Sequence, residues 1–436
     1  MEKIKAFSKL SASEKAQFID RLLLGNAMET LQKFKLADNK IQQEIEEISE
    51  NAISNFVLPF GIAPNFLING KIYHIPMVTE ESSVLAAAAS AAKFWFSNGG
   101  FNTKVISAIK PGQIHFTWSG KKEILFQNFE IIKSRMLAEV KDLIQKMESR
   151  GGGICSIELE DYTSQITDYY QIKVFFQTAD AMGANFINSC LEKMSKALLE
   201  CMEPISQSNN NQCTIIMSIL SNYTPECIAE CSIECKIDQL TMVSGIYPAN
   251  EFAKRYKMAV DIANIDISRA ATHNKGIFNG IDAVIIATGN DFRAIEAGGH
   301  AYAAKSGFYK SLSSIELTDK HFKCILQIPL SLGTIGGLTQ THPMAKLALE
   351  ILQKPSAEEL MQIVASVGMA SNFSAIKALV TSGIQKGHMK MHLNNILKQL
   401  NANAEEIRIT NEHFQQNTIS FSAVHLFLNK LRSHAS

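Results

Sequence analysis

The sequence predicts an α+β fold in which a large mixed domain is interrupted by a smaller inserted unit and followed by helices. The length of 436 residues corresponds to roughly two to four domains. Between residues 113 and 220, hydrophobic alternation and amphipathic periodicity give the element order βαββαβ, which is typical of a ferredoxin-like, split βαβ domain. From residue 357 onward, apolar residues recur at helical spacing.

The composition is that of an ordinary globular protein and disfavours nucleic-acid binding. Hydrophobic residues make up 46% of the chain and the formal net charge is zero, so no strong attraction to a polyanion is expected. The amino-terminal sequence MEKIKAFSKLSASEKAQF lacks the apolar centre of a signal peptide, and no run of about 18 apolar residues predicts a membrane span. We therefore expect a cytoplasmic protein that is not inserted in a membrane.

The first part of the chain combines helices with a strand hairpin. Residues 14–24 and 41–53 carry apolar side chains three and four positions apart, which predicts two helices. The Asn69-Gly70 pair is a turn signal between two short strands. Two acids and two serines at 80–83 then precede an Ala-rich helix. They either cap that helix or place one glutamate at its mouth, in a partly dry cleft.

The inserted unit carries a polar loop at its second strand-to-helix turn. We predict strands at 113–118, 154–160, 171–178 and 213–220, and helices around 129–147 and 187–198. In the loop sequence DAMGAN at 180–185, Gly183 allows the backbone to approach a ligand, and the next helix offers free N–H groups. No GxGxxG motif follows a strand, so a standard Rossmann domain is not predicted.

The stretch at 268–303 has polar residues in unexpected places. Lys275 follows a polar trio and precedes Gly276 and Gly280, which suggests a tight loop close to a ligand. A buried strand is predicted at 283–287, and Asp291 would lie at the turn into the next helix. Asp291 then either meets Lys275 across a pocket or caps the helix, with Lys275 as a surface charge.

Metal binding is disfavoured. Cys227, Cys231 and Cys235 recur every four residues without a CxxC pair, so one face of a strand or helix is the simpler interpretation. His388 and His392 share a helix face, but the Glu of an HExxH motif is missing. His388 is either a proton donor on a mobile terminal segment or a solvated or capping histidine.

Six separated blocks carry a resemblance to a known family. They read LPFGIAPNFLING, PMVTEESSVLAAAASAAK, DAMGAN, RAATHNKGIFNGIDAVIIATGND, LGTIGGLTQTHP and GIQKGHM. Together they resemble the class II (bacterial) 3-hydroxy-3-methylglutaryl-coenzyme A (HMG-CoA) reductases. The resemblance implies reduction of HMG-CoA to mevalonate and CoA with two equivalents of NADPH or NADH, or the reverse reaction. It also implies a large domain built around a central helix, a small dinucleotide-binding domain and a carboxyl-terminal helical flap.

The resemblance assigns four catalytic residues. Lys275 resembles the lysine that stabilises the oxyanion formed at the thioester carbonyl, for which a buried ammonium is well suited. Glu81 resembles the glutamate that protonates the aldehyde oxygen, so we expect it to be buried and able to hold a proton near neutral pH. Asp291 resembles the aspartate that links these two by hydrogen bonds. His388 resembles the flap histidine that protonates the CoA thiolate.

The resemblance also assigns binding residues. Those implied for the acyl substrate are Ser83, Asn222, Arg269, Asn279 and Asn372, with the planar fork of Arg269 suited to a carboxylate. Those implied for the cofactor are Asp180, Met182, Gly183 and Asn185.

Cofactor preference depends on a single helix of the small domain. NADH-preferring relatives have an aspartate where this chain has Ile144 in our alignment. The absence of that carboxylate, with Lys146 or Arg150 nearby, favours NADPH over NADH.

The resemblance further implies domain limits and a homodimer with shared active sites, while association beyond the dimer stays open. The limits are 1–110 and 221–376 for the large domain, 111–220 for the small domain and 377–436 for the flap. One departure affects the family's ENVIG dimer motif, which reads ENAIS here and ends in Ser54.

Two other functions remain possible on the sequence. The first is a CoA-thioester transferase or lyase, which would need a nucleophilic cysteine beside a base, and no cysteine lies in a matching block. The second is a catalytically silent homologue acting as a scaffold, which the presence of all four catalytic residues disfavours.

Overall fold

The structure is a computed structural model that describes residues 6–209, 211–383, 393–394, 396–414, 417 and 419–434. The strands are β1 (Phe60–Ile68), β2 (Lys71–Val78), β3 (Asn102–Trp118), β4 (Gly153–Asp161), β5 (Tyr169–Gln177), β6 (Cys213–Leu220), β7 (Cys227–Lys236), β8 (Ser313–Leu317) and β9 (His321–Pro329). The helices are α1 (Ala12–Leu22), α2 (Met28–Lys33), α3 (Asn39–Glu46), α4 (Val84–Phe96), α5 (Lys122–Glu139), α6 (Lys141–Glu148), α7 (Ala184–Asn209), α8 (Ala249–Ile265), α9 (Ile267–Ala287), α10 (Phe292–Ala303), α11 (Leu338–Thr341), α12 (Pro343–Ile351), α13 (Ala357–Val380), α14 (Ala404–His413) and α15 (Phe421–His434).

The main sheet has seven antiparallel strands, and β3 is the strand that joins its two parts. Residues 102–108 of β3 pair with β7, and the order continues through β9 to β8. The carboxyl-terminal half of β3 pairs with β5 on one side and β6 on the other, which gives the local order β4-β5-β3-β6. β1 and β2 form a separate hairpin, whose turn residues Asn69 and Gly70 both have positive φ angles, as a tight hairpin turn requires.

Each half of β3 contributes to a different hydrophobic core. The larger core surrounds α9 and α13, and the smaller one lies between α5, α7 and the half of the sheet that contains β4 to β6. A third, small cluster joins Leu393 and Ile396 to Phe414 and to residues of α15. α9 contacts β2, α4, α8, α10, α12 and α13, so helices and sheet surround it on most sides.

The prediction of a loop at Lys275 and of a strand at 283–287 is wrong, because both lie within α9. Val284, Ile285 and Ile286 were misread because β-branched residues favour strands, but burial around α9 outweighs that weak local preference. Gly280 serves helix packing instead of a turn. A Cβ at Gly280 would lie 2.3 Å from Oγ of Ser371 on α13, so the two helices approach closely only with glycine there.

Other elements differ from prediction mainly at their ends. β3 begins eleven residues before the predicted strand, because Pro111 and Gly112 in its middle disfavoured a continuous strand. The predicted long helix around 129–147 is two helices separated at Val140. The three evenly spaced cysteines lie on β7, whose inward face buries all of them, as the simpler interpretation predicted.

Among the residues that the structure describes, one helix is long and apolar enough to cross a membrane, although the sequence showed no uninterrupted apolar run. It is α13, and 72% of its most apolar window is buried inside the protein. A core helix has the same composition.

Candidate active site

A cavity of about 520 Å³ opens between the start of α4 and the facing sides of α9 and α13. Six residues predicted as catalytic or acyl-binding line it, namely Glu81, Ser83, Arg269, Lys275, Asn279 and Asn372. The fold brings them from three distant parts of the chain. We call this space the acyl cavity.

Glu81 and Lys275 form an ion pair at the wall of the acyl cavity. The Lys275 Nζ atom donates to the Glu81 Oε2 atom at 2.6 Å. The expectation that both are buried is wrong for the single chain, because the side chains are 59% exposed for Lys275 and 38% exposed for Glu81. Lys275 projects from the middle of α9, whereas Glu81 precedes α4. The pair is thus accessible to a ligand that enters from solvent.

Ser83 has a strained backbone and a free side chain. It occupies the position before α4 with φ of 75°, in the left-handed region that serine rarely adopts. Its side chain makes no capping hydrogen bond to the helix. The Ser83 hydroxyl is therefore not used for capping, and a functional role of residues 80–83 stays a prediction.

Asn372 is held by a buried polar network around His273. Nδ2 of Asn372 lies 3.3 Å from Nε2 of His273, and the Ser313 hydroxyl donates to Oδ1 of Asn372 at 3.3 Å. Burial, with the nearby charge of Arg269, lowers the pKa of His273 to about 3, so the ring is neutral. Nε2 of His273 also lies 2.8 Å from the Ser313 hydroxyl and 2.9 Å from the Ser311 hydroxyl, so several polar groups hold the Asn372 amide in place. Burial also lowers the pKa of Arg269, which remains charged.

A second, smaller cavity of about 210 Å³ lies behind the ion pair and is rich in acids. Asp282 and Glu296 line it together with Glu80, Glu81 and Lys275. Burial, followed by the neighbouring Glu296 and Glu80 carboxylates, raises the pKa of Asp282 to about 8. The sequence analysis missed Asp282, whose signal was its spacing of seven residues from Lys275, two turns along a helix that was read as a loop.

Asp291 lies apart from the ion pair in this structure. Its Oδ1 atom accepts from the backbone N–H groups of Arg293 and Ala294, so it caps α10, and it also pairs with the Arg293 guanidinium at 3.2 Å. Within the described residues it makes no hydrogen bond to Glu81 or Lys275. The capping role, which was the simpler alternative, is therefore present, and the linking role stays a prediction.

A third cavity, of about 620 Å³, contains most of the predicted cofactor residues and is called the cofactor cavity below. Met182, Gly183, Asn185 and Asp291 line it. Two guanidinium groups, from Arg150 and Arg293, also line it and make it suited to a phosphorylated ligand. Ile144 is buried in the small core, so it cannot meet a ribose, and Arg150 occupies the helix end that faces the cavity.

The backbone conformation and the surrounding space at position 183 admit only glycine. Its φ is +91°, and a Cβ there would lie 2.5 Å from Cγ2 of Thr178. Asp180 points away from the cavity, because its Oδ1 atom accepts from the backbone N–H of Ala357 at the start of α13 at 2.8 Å. Asp180 therefore fastens the loop to the large core.

Among the predicted residues that the structure describes, Asn222 lies away from these cavities, as Asp180 does. Asn222 is exposed at the end of β6, and its carbonyl oxygen lies against Gly298 of α10. His388, like His392, lies outside the described residues. Among the residues that the structure describes, no group of three or more His, Cys, Asp or Glu side chains could hold a metal ion.

Sequence comparison with known proteins points to the same family in each case. The hydroxymethylglutaryl-coenzyme A reductase family model matches residues 11–393. The chain is similar to the 3-hydroxy-3-methylglutaryl-coenzyme A reductase of Archaeoglobus fulgidus, with 37% identity over 89% of this chain and 86% of the relative. It is also similar to the probable 3-hydroxy-3-methylglutaryl-coenzyme A reductase of Borreliella burgdorferi, with 33% identity over 99% of this chain and 96% of the relative.

Solved structures give the same result. The structure resembles the class II reductase of Streptococcus pneumoniae bound to NADPH in open conformations, with a TM-score of 0.72, 33% identity, and coverage of 87% of this chain and 100% of the other. A second structure of the Streptococcus pneumoniae reductase gives a TM-score of 0.73 and 32% identity, covering 99% of this chain and all of the other. The chain therefore belongs to the hydroxymethylglutaryl-coenzyme A reductase family.

Proposed function

We propose that this protein reduces HMG-CoA to mevalonate and CoA with two equivalents of NADPH, or catalyses the reverse reaction. The observation that carries the proposal is the ion pair between Lys275 and Glu81, 2.6 Å apart in a cavity that also holds Arg269 and Asn372. The reaction converts a thioester carbonyl to an alcohol, so it needs a cation beside the carbonyl oxygen and a proton donor for that oxygen. Lys275 supplies the cation, and Glu81 is the carboxyl group placed beside it that donates the proton after taking one up.

The acyl group is held by groups of matching chemistry. Arg269 binds the terminal carboxylate of the substrate, since its guanidinium offers two parallel donors. Ser83, Asn279 and Asn372 supply neutral polar contacts from the same cavity. Lys275 then stabilises negative charge on the reacting oxygen, and Glu81 delivers a proton to it. Asn222 and His388 retain the substrate-binding and thiolate-protonating roles implied by the family resemblance.

NADPH fits the cofactor cavity by charge and by shape. Gly183 and Gly333 leave no room for side chains where the loop meets the large domain, since a Cβ at Gly333 would lie 2.3 Å from the Met182 nitrogen. Arg150 and Arg293 are available to the phosphates, and Arg150 favours NADPH over NADH. Bound NADPH supplies hydride. Met182, Gly183 and Asn185 form the wall against which it lies, and Asp180 and Asp291 hold the loop and the helix start beside it.

We propose a domain organisation that is consistent with the sheet. The order β4-β5-β3-β6 with α5 and α7 supports a ferredoxin-like small domain at 111–220, within a large domain at 1–110 and 221–376 built around α9. The separate cluster around Leu393 and Phe414 supports a flap at 377–436. A homodimer with shared sites would cover the exposed pair of Glu81 and Lys275. The buried state of α13 is that of a core helix in a soluble protein, and the cytoplasmic location stays a prediction.

The structure also bears on the transferase or lyase alternative. Burial raises the pKa of several thiols, to about 12 for Cys190 and about 11 for Cys227, and it raises that of the exposed Cys155 as well. A nucleophilic cysteine requires the opposite change. Among the described cysteines, this favours a reductase over an enzyme that forms a thioester with its own thiol.

One assay tests the proposal. Purified protein is mixed with HMG-CoA and NADPH or NADH, and absorbance of the reduced nicotinamide is followed. The reductase function would be refuted if HMG-CoA caused no oxidation of NADPH or NADH, and if mevalonate with CoA caused no reduction of NADP+ or NAD+. Lys275→Ala should lower turnover by about 100-fold or more and leave CoA binding nearly unchanged. The control is Lys254→Ala, which removes an exposed lysine of α8 outside both cavities. Equal loss of turnover and CoA binding in Lys275→Ala would make Lys275 a binding residue.

A further inference from the structure

Lys110 is a buried lysine without a carboxylate partner in the described part of the chain. It lies in the middle of β3 and is 3% exposed. Its Nζ atom donates to the Thr178 hydroxyl at 2.6 Å and to the Ala181 carbonyl oxygen at 2.9 Å. Burial lowers the pKa of Lys110, because the charged form loses its water without gaining an anion. Burying the Lys110 ammonium lowers the stability of the fold, so we expect this lysine to have a functional role.

The partners of Lys110 belong to the loop that lines the cofactor cavity. The Thr178 hydroxyl donates to the same Ala181 carbonyl at 2.6 Å, so two donors converge on one oxygen. Ala181 forms a bridge with Ile335 of the large domain. The next three positions of the loop include Met182 and Gly183, which line the cavity. The ammonium thus donates a hydrogen bond to the carbonyl of the peptide that joins Ala181 to Met182.

The loop is also held in a backbone conformation that it would not adopt by preference. Ala179 has φ of 47° and Gly183 has φ of 91°, both in the left-handed region. Alanine is disfavoured there, so surrounding contacts must impose the conformation. Those contacts are the Lys110 and Thr178 bonds on one side and the Asp180 bonds to Ala357 and Thr334 on the other.

We propose that Lys110 is a positioning residue for the nicotinamide cofactor, which acts by holding the 178–183 loop in its binding shape. The inference depends on the proposed function, because it assumes that the cavity beside this loop takes NADPH. It concerns cofactor affinity alone. The acyl cavity lies on α4, α9 and α13 and includes no residue of this loop.

The test compares Lys110→Met with the parent by direct NADPH binding, steady-state kinetics and thermal unfolding. Methionine keeps the apolar length and removes the ammonium, and the Thr178 hydroxyl still satisfies the Ala181 oxygen. We expect the Kd and KM for NADPH to rise by at least about tenfold, which is the effect of losing one charge-assisted hydrogen bond. The KM for HMG-CoA and kcat at saturating NADPH should change by less than about twofold, and the unfolding temperature should stay equal or rise, because a buried charge has been removed.

Two further variants sharpen the result. Lys173→Met is the matched control, because Lys173 lies on the same sheet, pairs with Glu160 at 2.7 Å and does not contact the loop. It should leave NADPH binding unchanged. Lys110→Gln keeps a neutral donor and should restore part of the affinity, which also provides a readout if the methionine variant fails to fold.

The outcomes separate three cases. Selective loss of NADPH affinity without loss of stability supports the positioning role. Unchanged NADPH affinity in Lys110→Met, or a lower unfolding temperature with equal increases in both KM values, overturns it and leaves a packing role. Failure of the parent protein to bind or oxidise NADPH refutes the proposed function instead, and the parent measurement reveals this before any variant is compared.

Discussion

The Asp282 carboxyl should make the folded protein less stable as the pH rises from about 4 to 8, and Asp282→Asn should remove this dependence. The pKa of Asp282 is raised from its ordinary value of 3.8 to about 8, first by burial and then by Glu296 and Glu80. Between these values the folded protein keeps the proton and the unfolded chain has released it. Unfolding therefore releases a proton, and the free energy of unfolding falls as the pH rises.

The size of the effect follows from the same two numbers. The pKa in the folded protein, about 8, exceeds the ordinary value of 3.8 by about 4. A pKa difference of 1 corresponds to about 1.4 kcal/mol, so the upper limit is roughly 6 kcal/mol. The side chain is only partly buried, and solvent screens its interactions with Glu80 and Glu296. We therefore expect about 2 to 3 kcal/mol between pH 5 and pH 8. That amount is a substantial fraction of the stability of a typical protein.

The assay is urea unfolding of the parent and of Asp282→Asn at pH 5, 6.5 and 8, at one protein concentration. The parent should lose about 2 to 3 kcal/mol more than the variant over this range, and the variant should be the more stable protein at pH 8. Asp319→Asn, in an exposed turn, is the matched control and should follow the parent. Parallel pH profiles for the parent and Asp282→Asn would refute the reasoning, because they would mean that Asp282 is ionised in both states.

Three kinetic predictions follow from the two ligand cavities. Gly183→Ala should raise the KM for NADPH by about tenfold or more, because its Cβ would strike Thr178 and its φ is +91°; an unchanged KM would show that the loop relaxes freely. Arg150→Ala should raise the KM for NADPH by about tenfold and that for NADH by less, and equal increases would exclude contact with a 2′-phosphate. Asn372→Ala should raise the KM for HMG-CoA by about tenfold and spare that for NADPH, whereas a change in kcat alone would argue against a binding role.

Much of the small domain could be predicted from local sequence, because its elements have clear periodicity. The strands at 154–160, 171–178 and 213–220 each differ from the observed ones by two residues or fewer at either end. Each of these strands alternates between a buried and a solvent-facing side, so the pattern survives in the sequence. The hairpin turn at Asn69 and Gly70 was predictable for a similar reason, since positive φ at both positions selects a few residue types.

The surroundings of Lys275 could not be predicted in the same way. α9 is packed on most sides, so its apolar residues show no single stripe, and its glycines look like turn signals although they serve close contact with α13. Asp282 and Lys110 were missed for a related reason. Their importance depends on partners at positions 296 and 178–181, and only the tertiary fold brings those partners near.

The shared strand β3 has a mechanical consequence for the whole molecule. Its first half pairs with β7, and its second half is an inner strand between β5 and β6, so a single stretch of backbone is hydrogen-bonded into two parts of the sheet. If tension or thermal motion detaches one half of β3 from the sheet, the strain reaches the other half through Pro111 and Gly112. Slow amide exchange along β3 should therefore span both halves of the strand as one cooperative block.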